Sequence, residues 1–439
     1  MMMILYMLFS LIYIYNFYKY KYILSNFINL ILFYLIINYD MFIEWNKYSF
    51  NFSLNNYSFM LIILSLWIFS IIIISLNSIN YYNLCINFLV ILLVILILFF
   101  MSNNILLFYF FFEISLILMF LMIIYWGMGE MRILASMYLL FYTLFFSLPF
   151  LLFLFLIIKS ENYIMFNMME MKLYMCNKYL FVFMILSFLV KIPIFSLHIW
   201  LLKAHVEAPV FCSMILASIM LKLGTYGLLR FILIFYNNMM LIKIYVMIIS
   251  LIGGIILSIL CLRQIDMKIL IAYSSVVHMS ILISSLMTLK HLSLYGCYLM
   301  MIAHGLCSSG LFYMVNMCYK ETNSRLMIIN KGMMSIIPKM SLLWFLLCSS
   351  NMSAPLSLNL ISEIFILMVL YNWCNYLLLL LMLISFLSFI YSLYLFSYIN
   401  HGMMNFYLKI KNPKFLEFFV IIMHWLPLNF MFLNLDLFM

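Results

Sequence analysis

LFVFMILSFLVKIPIFSLHIW, residues 180–200, combines three features that soluble chains rarely place together. The run is about 20 residues long and apolar, enough to cross a bilayer as a helix. It carries a lysine, Lys191, within its length, and Pro193 follows two residues later. On insertion scales a charge at that depth costs about 2.5 to 3.5 kcal/mol. Pro193 removes a backbone N–H and breaks the helix, and broken backbone at membrane depth survives only beside protein or water. The stretch therefore reads as a spanning helix of a larger bundle, interrupted next to a charge.

The rest of the chain supplies that bundle. Its 439 residues are 69% hydrophobic and 8% charged, with a mean hydropathy of +1.23, against about 25% charged residues in a soluble domain. Apolar runs recur at 3–16, 22–38, 56–76, 80–101, 105–125, 132–158, 179–201, 209–231, 240–262, 269–288, 293–318, 337–371, 374–399 and 415–435. The fold class is thus all-α and polytopic, with about 14 transmembrane helices. Scarce glycine (11) and proline (7) argue against a barrel with frequent turns. With no soluble linker, the expected organisation is one membrane domain: residues 1–78 as helices 1–3, 80–231 as helices 4–8, 240–399 as helices 9–13, and 415–435 as the last helix. The abundance of Met, Phe, Tyr, Ile and Asn is consistent with an AT-rich genome, an organelle being one source.

The formal charge of +10 serves orientation rather than nucleic-acid binding. Roughly 13 Lys and Arg fall in loops on one side and roughly seven on the other, which by the positive-inside rule places the first side toward the compartment of synthesis and both termini away from it. The nine cysteines form no C-x-x-C pair, so neither zinc nor iron–sulfur spacing is present. No glycine-rich dinucleotide or phosphate loop appears either.

Three more charges lie within apolar runs: Glu113 in ILLFYFFFEISLILMFLMIIY, Lys222 in CSMILASIMLKLGTYGLLR and Glu363 in LSLNLISEIFILMVL. Two acids and two bases could form ion bridges that merely fix packing, but intramembrane ionisable groups more often line an ion path. Pro355 precedes Glu363 in CSSNMSAPLSLN, so helix 12 is expected to be broken like helix 7. Two interrupted segments, one in each half, fit two inverted five-helix repeats of a transporter. Gly224 and Gly227 flank Lys222 and permit close approach.

His278 in AYSSVVHMS and His304 in MIAHGLCSSG sit between the charged helices and read as relay positions, able to gain and lose a proton near neutral pH. The expected hydrogen-bond partners one turn away are Ser274 and Ser308. His198 could share a face with Lys191, subject to Pro193. The cluster Lys203, His205 and Glu207 before Pro209 reads as a polar loop, and His401 and His424, placed near loop or helix ends, receive no role.

The strings LVKIPIFSLHIWLLKAHVEAPV, LKLGTYGLLRF, RQIDMKILIAYSSVVHMS, MIAHGLCSSGLF and NMSAPLSLNLISEI, in that order, closely resemble the antiporter-like subunit 4 family of respiratory complex I. The resemblance covers at least residues 105–400. It implies a core proton-translocating subunit of a mitochondrial NADH:ubiquinone oxidoreductase, multi-pass in the inner membrane, with both termini on the intermembrane-space side. It also implies roles: Glu113 pairing with Lys191, Lys222 as the central lysine, Glu363 at the exit, and His278 and His304 as the relay between halves. No cofactor or metal is expected in this chain, since NADH, FMN, iron–sulfur clusters and ubiquinone belong to other subunits. The implied partners are the other complex I membrane subunits, antiporter-like and supernumerary, and phospholipids with cardiolipin as a candidate.

Leu202, Thr225, Ser280, Leu356 and Ser362 depart from the family's usual proline or glycine; they touch helix bending and leave every ionisable group in place. A subunit of a multi-chain Na+/H+ antiporter shares the lysine and glutamate pattern and is the nearest alternative. A non-conducting structural subunit is the other, and it would have no need of the four intramembrane charges. The chemistry follows from elementary electrostatics: desolvation disfavours an ammonium and a nearby carboxylate favours it. Moving Glu113 toward or away from Lys191 would then drive a proton toward Lys222.

Overall fold

In hydrocarbon every backbone N–H and C=O must be bonded within the protein, and this chain meets the requirement with helices. The computed structural model of the chain describes residues 10, 21–37, 46–49, 51–76, 82–161, 165–170, 178–403 and 413–435. The run expected at 3–16 lies, apart from Ser10, outside the described residues. The elements are α1 (Lys21–Ile37), β1 (Asn46–Ser49), β2 (Phe52–Leu54), α2 (Asn56–Ser75), α3 (Tyr82–Met101), α4 (Ile105–Trp126), α5 (Arg132–Glu161), α6 (Phe166–Glu170), α7 (Lys178–Lys191) and α8 (Ile199–Glu207). They continue with α9 (Val210–Ile234), α10 (Tyr236–Cys261), α11 (Met267–Leu286), α12 (His291–Thr322), α13 (Met333–Ile336), α14 (Pro338–Asn351), α15 (Leu358–Trp373), α16 (Leu377–Asn400) and α17 (Phe415–Phe430). Among the described residues, ten helices are long and apolar enough to span a membrane. The two interrupted helices and α1 account for the other expected runs within this part of the chain. The short antiparallel hairpin β1–β2 has no counterpart in the sequence reading: its residues carry no alternating apolar pattern long enough to announce it.

Both expected breaks are present. The first, in the seventh apolar run, separates α7, which ends at Lys191, from α8, which begins at Ile199, with Ser196 in the left-handed region (φ 82°). The second, in the twelfth run, separates α14, ending at Asn351, from α15, beginning at Leu358, with Ser353 (φ 58°) and Leu356 (φ 69°) in that region as well. Proline is locked near φ −65°, so the conformation of Leu356 is closed to the proline expected at this place. That departure changes how the twelfth run is broken.

Two compact units are distinguishable, Met1–Phe188 with Tyr226–Asn238, and Leu189–Thr225 with Met239–Leu437. In the first, successive helices α1 to α5 pack each against the next. An aromatic core holds them: Phe150 meets Phe188 at 5.2 Å and Phe231 at 5.4 Å, while Phe99 meets Phe108 at 4.5 Å, edge-on and tilted geometries that favour such pairs. Lys21 Nζ donates to the carbonyls of Leu76 (2.8 Å) and Ile74 (3.3 Å), which closes the C-terminal end of α2. Arg230 is buried here, its Nε 3.2 Å from Glu170 Oε1, its Nη1 donating to Tyr226 Oη at 3.1 Å, and its guanidinium 4.5 Å over the Phe166 ring. Burial pushes the Glu170 carboxyl above its ordinary value, and the guanidinium beside it pulls the other way.

In the second unit α12 is the central post. Its most apolar window is wholly buried, and α9, α11, α14, α15 and α17 all pack against it. α16 and α17 bury 28% of theirs, so they form the outer, apolar-faced layer.

The Arg230 cluster gives a direct test. Arg230→Met strips a half-buried carboxylate of its partner, a loss of about 1 to 3 kcal/mol, and is expected to deplete the folded chain in membranes. Adding Glu170→Gln should recover much of that loss, as read by immunoblot of membrane fractions after mild heating.

Candidate functional site

Lys222 lies on α9, where the α-helical hydrogen-bond pattern gives way to a π turn over Leu216–Met220. Such turns recur at functional sites because they free backbone groups. Here the Ala217 carbonyl accepts from Lys222 Nζ at 2.6 Å. The same Nζ is 2.9 Å from His304 Nδ1 on α12, and both residues are buried. An ammonium is a donor only, so when Lys222 is charged His304 Nδ1 must offer its lone pair. When the imidazole carries that proton, the amine accepts it. One hydrogen bond thus holds a single proton in either of two places.

The His304 and His278 rings lie 5.8 Å apart between centroids, tilted by 49°. On α11, His278 Nδ1 is 3.5 Å from Glu363 Oε1 of α15. Its other nitrogen, Nε2, is 3.4 Å from Tyr391 Oη of α16. Glu363 Oε2 accepts from the Ser353 hydroxyl, which belongs to the break between α14 and α15. Lys222, His304, His278 and Glu363 are all buried, and they form one series across four helices that ends at a helix break. Buried charges of this kind persist only when paired and hydrogen-bonded.

Lys191 is the last residue of α7 and is buried. The negative end of a helix dipole suits a cation at that place. Gly224, two residues after Lys222 on α9, makes this end of α7 accessible to α9: a Cβ there would lie 2.8 Å from Ile192 Cγ1 and 3.0 Å from Lys191 Cβ. Glu113 is half-buried on α4, in the first unit, whereas Lys191 belongs to the second.

Several details differ from the sequence expectations. Ser274 and Ser308 do not meet the histidine rings; their hydroxyls donate to the carbonyls of Ile271 and His304, the ordinary local bond of a helical serine. His198 caps the start of α8 and does not share a helix with Lys191. His424 is buried in the middle of α17, with Nδ1 2.8 Å from the Val420 carbonyl. His205 is also fully buried, stacked on Phe312 at 4.6 Å, and neither ring nitrogen has a hydrogen-bond partner among the described residues. Thr225 and Ser362, which replace expected glycines, donate to the sulfurs of Met301 (2.8 Å) and Met300 (3.2 Å) on α12. Tyr391 and Ser353 carried no sequence signal, being one tyrosine among 33 and one serine in a polar turn. Among the described residues, no group of three or more His, Cys, Asp or Glu is placed to hold a metal ion.

The family described as NADH:quinone oxidoreductase/Mrp antiporter, TM, matches residues 102–390. A protein of Apis mellifera ligustica named NADH-ubiquinone oxidoreductase chain 4 is 50% identical over 409 residues, covering 93% of this chain and 91% of its own length. The protein of that name from Aedes aegypti is 47% identical, covering 88% of each. Among solved structures, respiratory complex I from Thermus thermophilus with bound NADH contains a chain of similar fold: TM-score 0.87, 19% identity, 97% of this chain and 95% of that one. A chain of the Mrp complex from Dietzia sp. DQ12-45-1b matches with TM-score 0.84 at 16% identity, over 97% of this chain and 49% of that one.

The packing of Gly224 against α7 yields a prediction. Gly224→Val forces α9 away from the end of α7 that carries Lys191, and any conducted activity of the membrane-inserted chain should fall by about tenfold or more, the change expected when a reacting group is displaced by about 1 Å. Gly224→Ala should fall between that variant and the native chain in the same transport assay.

Proposed function

The chain belongs to the NADH:quinone oxidoreductase/Mrp antiporter membrane family, and we propose that it is the core proton-translocating chain 4 subunit of mitochondrial NADH:ubiquinone oxidoreductase, complex I. Its enzymatic role is that of a translocase subunit. NADH oxidation and ubiquinone reduction, with the FMN and iron–sulfur clusters they use, take place elsewhere in the complex. The chemistry left to this chain is the movement of protons across hydrocarbon.

The observation that carries this reading is the succession of neighbouring buried titratable groups from Lys222 through His304 and His278 to Glu363. Charged Lys222 passes a proton to His304 Nδ1: an N–H bond on the lysine breaks, one on the imidazole forms, and the amine is left neutral. The imidazolium passes its proton toward His278 across the 5.8 Å between ring centres, a gap spanned by ring rotation or one bridging water. His278 then delivers a proton to Glu363, beside the break between α14 and α15. Glu113 and Lys191 act upstream, the carboxylate setting the charge of the lysine and so the arrival of the next proton at Lys222.

The two helix breaks, after α7 and after α14, support two inverted repeats, residues 80–231 and 240–399. The excess of basic loop residues supports a matrix-facing side that holds Arg263, Lys268, Lys320 and Arg325, with both termini in the intermembrane space. Partners in this reading are the other membrane subunits of complex I and the surrounding phospholipids, cardiolipin among them. The identity of the named relatives sets complex I above the Na+/H+ antiporter reading.

Two measurements test the proposal. A native gel of gently solubilised mitochondrial membranes, stained for NADH oxidation, should show this chain in the large active band by mass spectrometry; its presence only in a smaller, inactive assembly would favour the antiporter. In assembled complex I, Lys222→Met should leave the band intact and lower NADH-driven proton pumping at least about a hundredfold.

A further inference from the structure

His278 faces groups of different chemistry at its two ring nitrogens. Glu363 Oε1 lies 3.5 Å from Nδ1, and an ionised carboxylate only accepts. Tyr391 Oη lies 3.4 Å from Nε2, and a phenol hydroxyl both donates and accepts. In the neutral ring whose bare Nε2 accepts from Tyr391 Oη, Nδ1 carries the proton and faces Glu363 Oε1 at 3.5 Å, a separation that must shorten before a hydrogen bond forms. Tyr391 lies on the inward stripe of α16 with Leu381, Ile384, Ser388 and Leu395, is wholly buried, and is among the largest fully buried side chains of the described residues. Its hydroxyl is the polar end of that stripe that meets a histidine of the central series.

We propose that Tyr391 is a further catalytic residue of proton transfer, the hydroxyl through which a proton reaches His278. The proposal rests on the reading that protons travel along Lys222, His304, His278 and Glu363. A proton released by His304, whose ring centre lies 5.8 Å from that of His278, reaches Tyr391 Oη through a bridging water; the phenol's own O–H bond then breaks and an Nε2–H bond forms. In the same movement the Nδ1–H bond breaks and an O–H bond forms on Glu363. The phenol is restored, one proton has moved from His304 to Glu363, and His278 is left as its other neutral tautomer, which ring rotation or exchange resets. Concerted transfer of this kind frees no phenolate, an anion that the buried site would strongly disfavour.

The test uses assembled complex I in proteoliposomes and reads two quantities, the rate of NADH-driven proton pumping and its solvent deuterium isotope effect. Tyr391→Phe keeps the ring and removes the hydroxyl. Tyr391→Gln keeps a donor for Nε2 but cannot relay a proton. Lys222→Met is run beside them. The expected result is normal assembly, pumping lowered about tenfold or more in both Tyr391 variants, and a larger isotope effect as transfer at His278 becomes limiting. Native rate in either variant, or a slower rate with an unchanged isotope effect, shows that Tyr391 only fills space or only orients the ring, and overturns the proposal. If that happens while Lys222→Met fails to pump, the lysine and histidine series still stands. If Lys222→Met pumps normally, the series itself is wrong and the role of Tyr391 falls with it. Should Tyr391→Phe impair assembly, Tyr391→Gln decides alone.

Discussion

Hydrocarbon gives a charge nothing to solvate it, and the interior of this protein is arranged around that fact. The hydrogen bond between Lys222 and His304 is where the constraint bears hardest: a lysine with no exposure meets a ring nitrogen at 2.9 Å and a backbone carbonyl at 2.6 Å. That carbonyl belongs to Ala217, inside the π turn that precedes the lysine. The ring is available because α12 runs through the middle of its unit with its apolar window entirely covered by other helices. Remove either and the lysine would hold a charge against a cost of several kcal/mol. Position, secondary structure and packing at this point are therefore one arrangement.

The same constraint explains the unusual backbone. Among the described residues, three of the five non-glycine positions with positive φ, Ser196, Ser353 and Leu356, stand in the two helix breaks. Left-handed backbone in such residues costs of order 1 kcal/mol each, and a chain with 11 glycines has few to place there. What the second break provides is a hydroxyl, Ser353, directed at Glu363. With little glycine available, close approach is reserved for a few places, and Gly224 beside the end of α7 is one of them.

Much of this was legible in the residues themselves. Spanning helices follow from runs of apolar length, and most of their ends agree with the structure within a few residues because polar side chains return in the loops; the exception is α8, which continues to Glu207 through the Lys203, His205 and Glu207 cluster expected to be a loop. The breaks after α7 and α14 were legible from Pro193 and Pro355, and the charged residues stand out because nothing around them is polar. The hidden parts are those that depend on which helix lies beside which. Tyr391 is 113 residues from His278, and no spacing rule reaches that far. Arg230 and Glu170 pair with Arg230 buried and Glu170 half-buried, one near the end of an apolar run and the other between runs, 60 residues apart in sequence, so no pattern announced them. The serines near the histidines misled for a local reason: a hydroxyl in a helix finds the carbonyl one turn back before it finds a ring.

The π turn holds one residue more than an α-helical turn, and one residue rotates a helix by about 100°. Wound at the wider pitch, the steps from Ile215 to Leu221 turn through about the same angle as an α-helix one residue shorter, so Lys222 stays in spatial phase with the helix before the turn. A single-codon deletion within these five uncharged positions would therefore close the turn into ordinary α-helix with Lys222 still on the side of His304. A one-residue insertion elsewhere in α9 ahead of the lysine, with no such turn to take it up, would swing that side chain by about 100°. Length is thus tolerant at this turn and strict on either side of it.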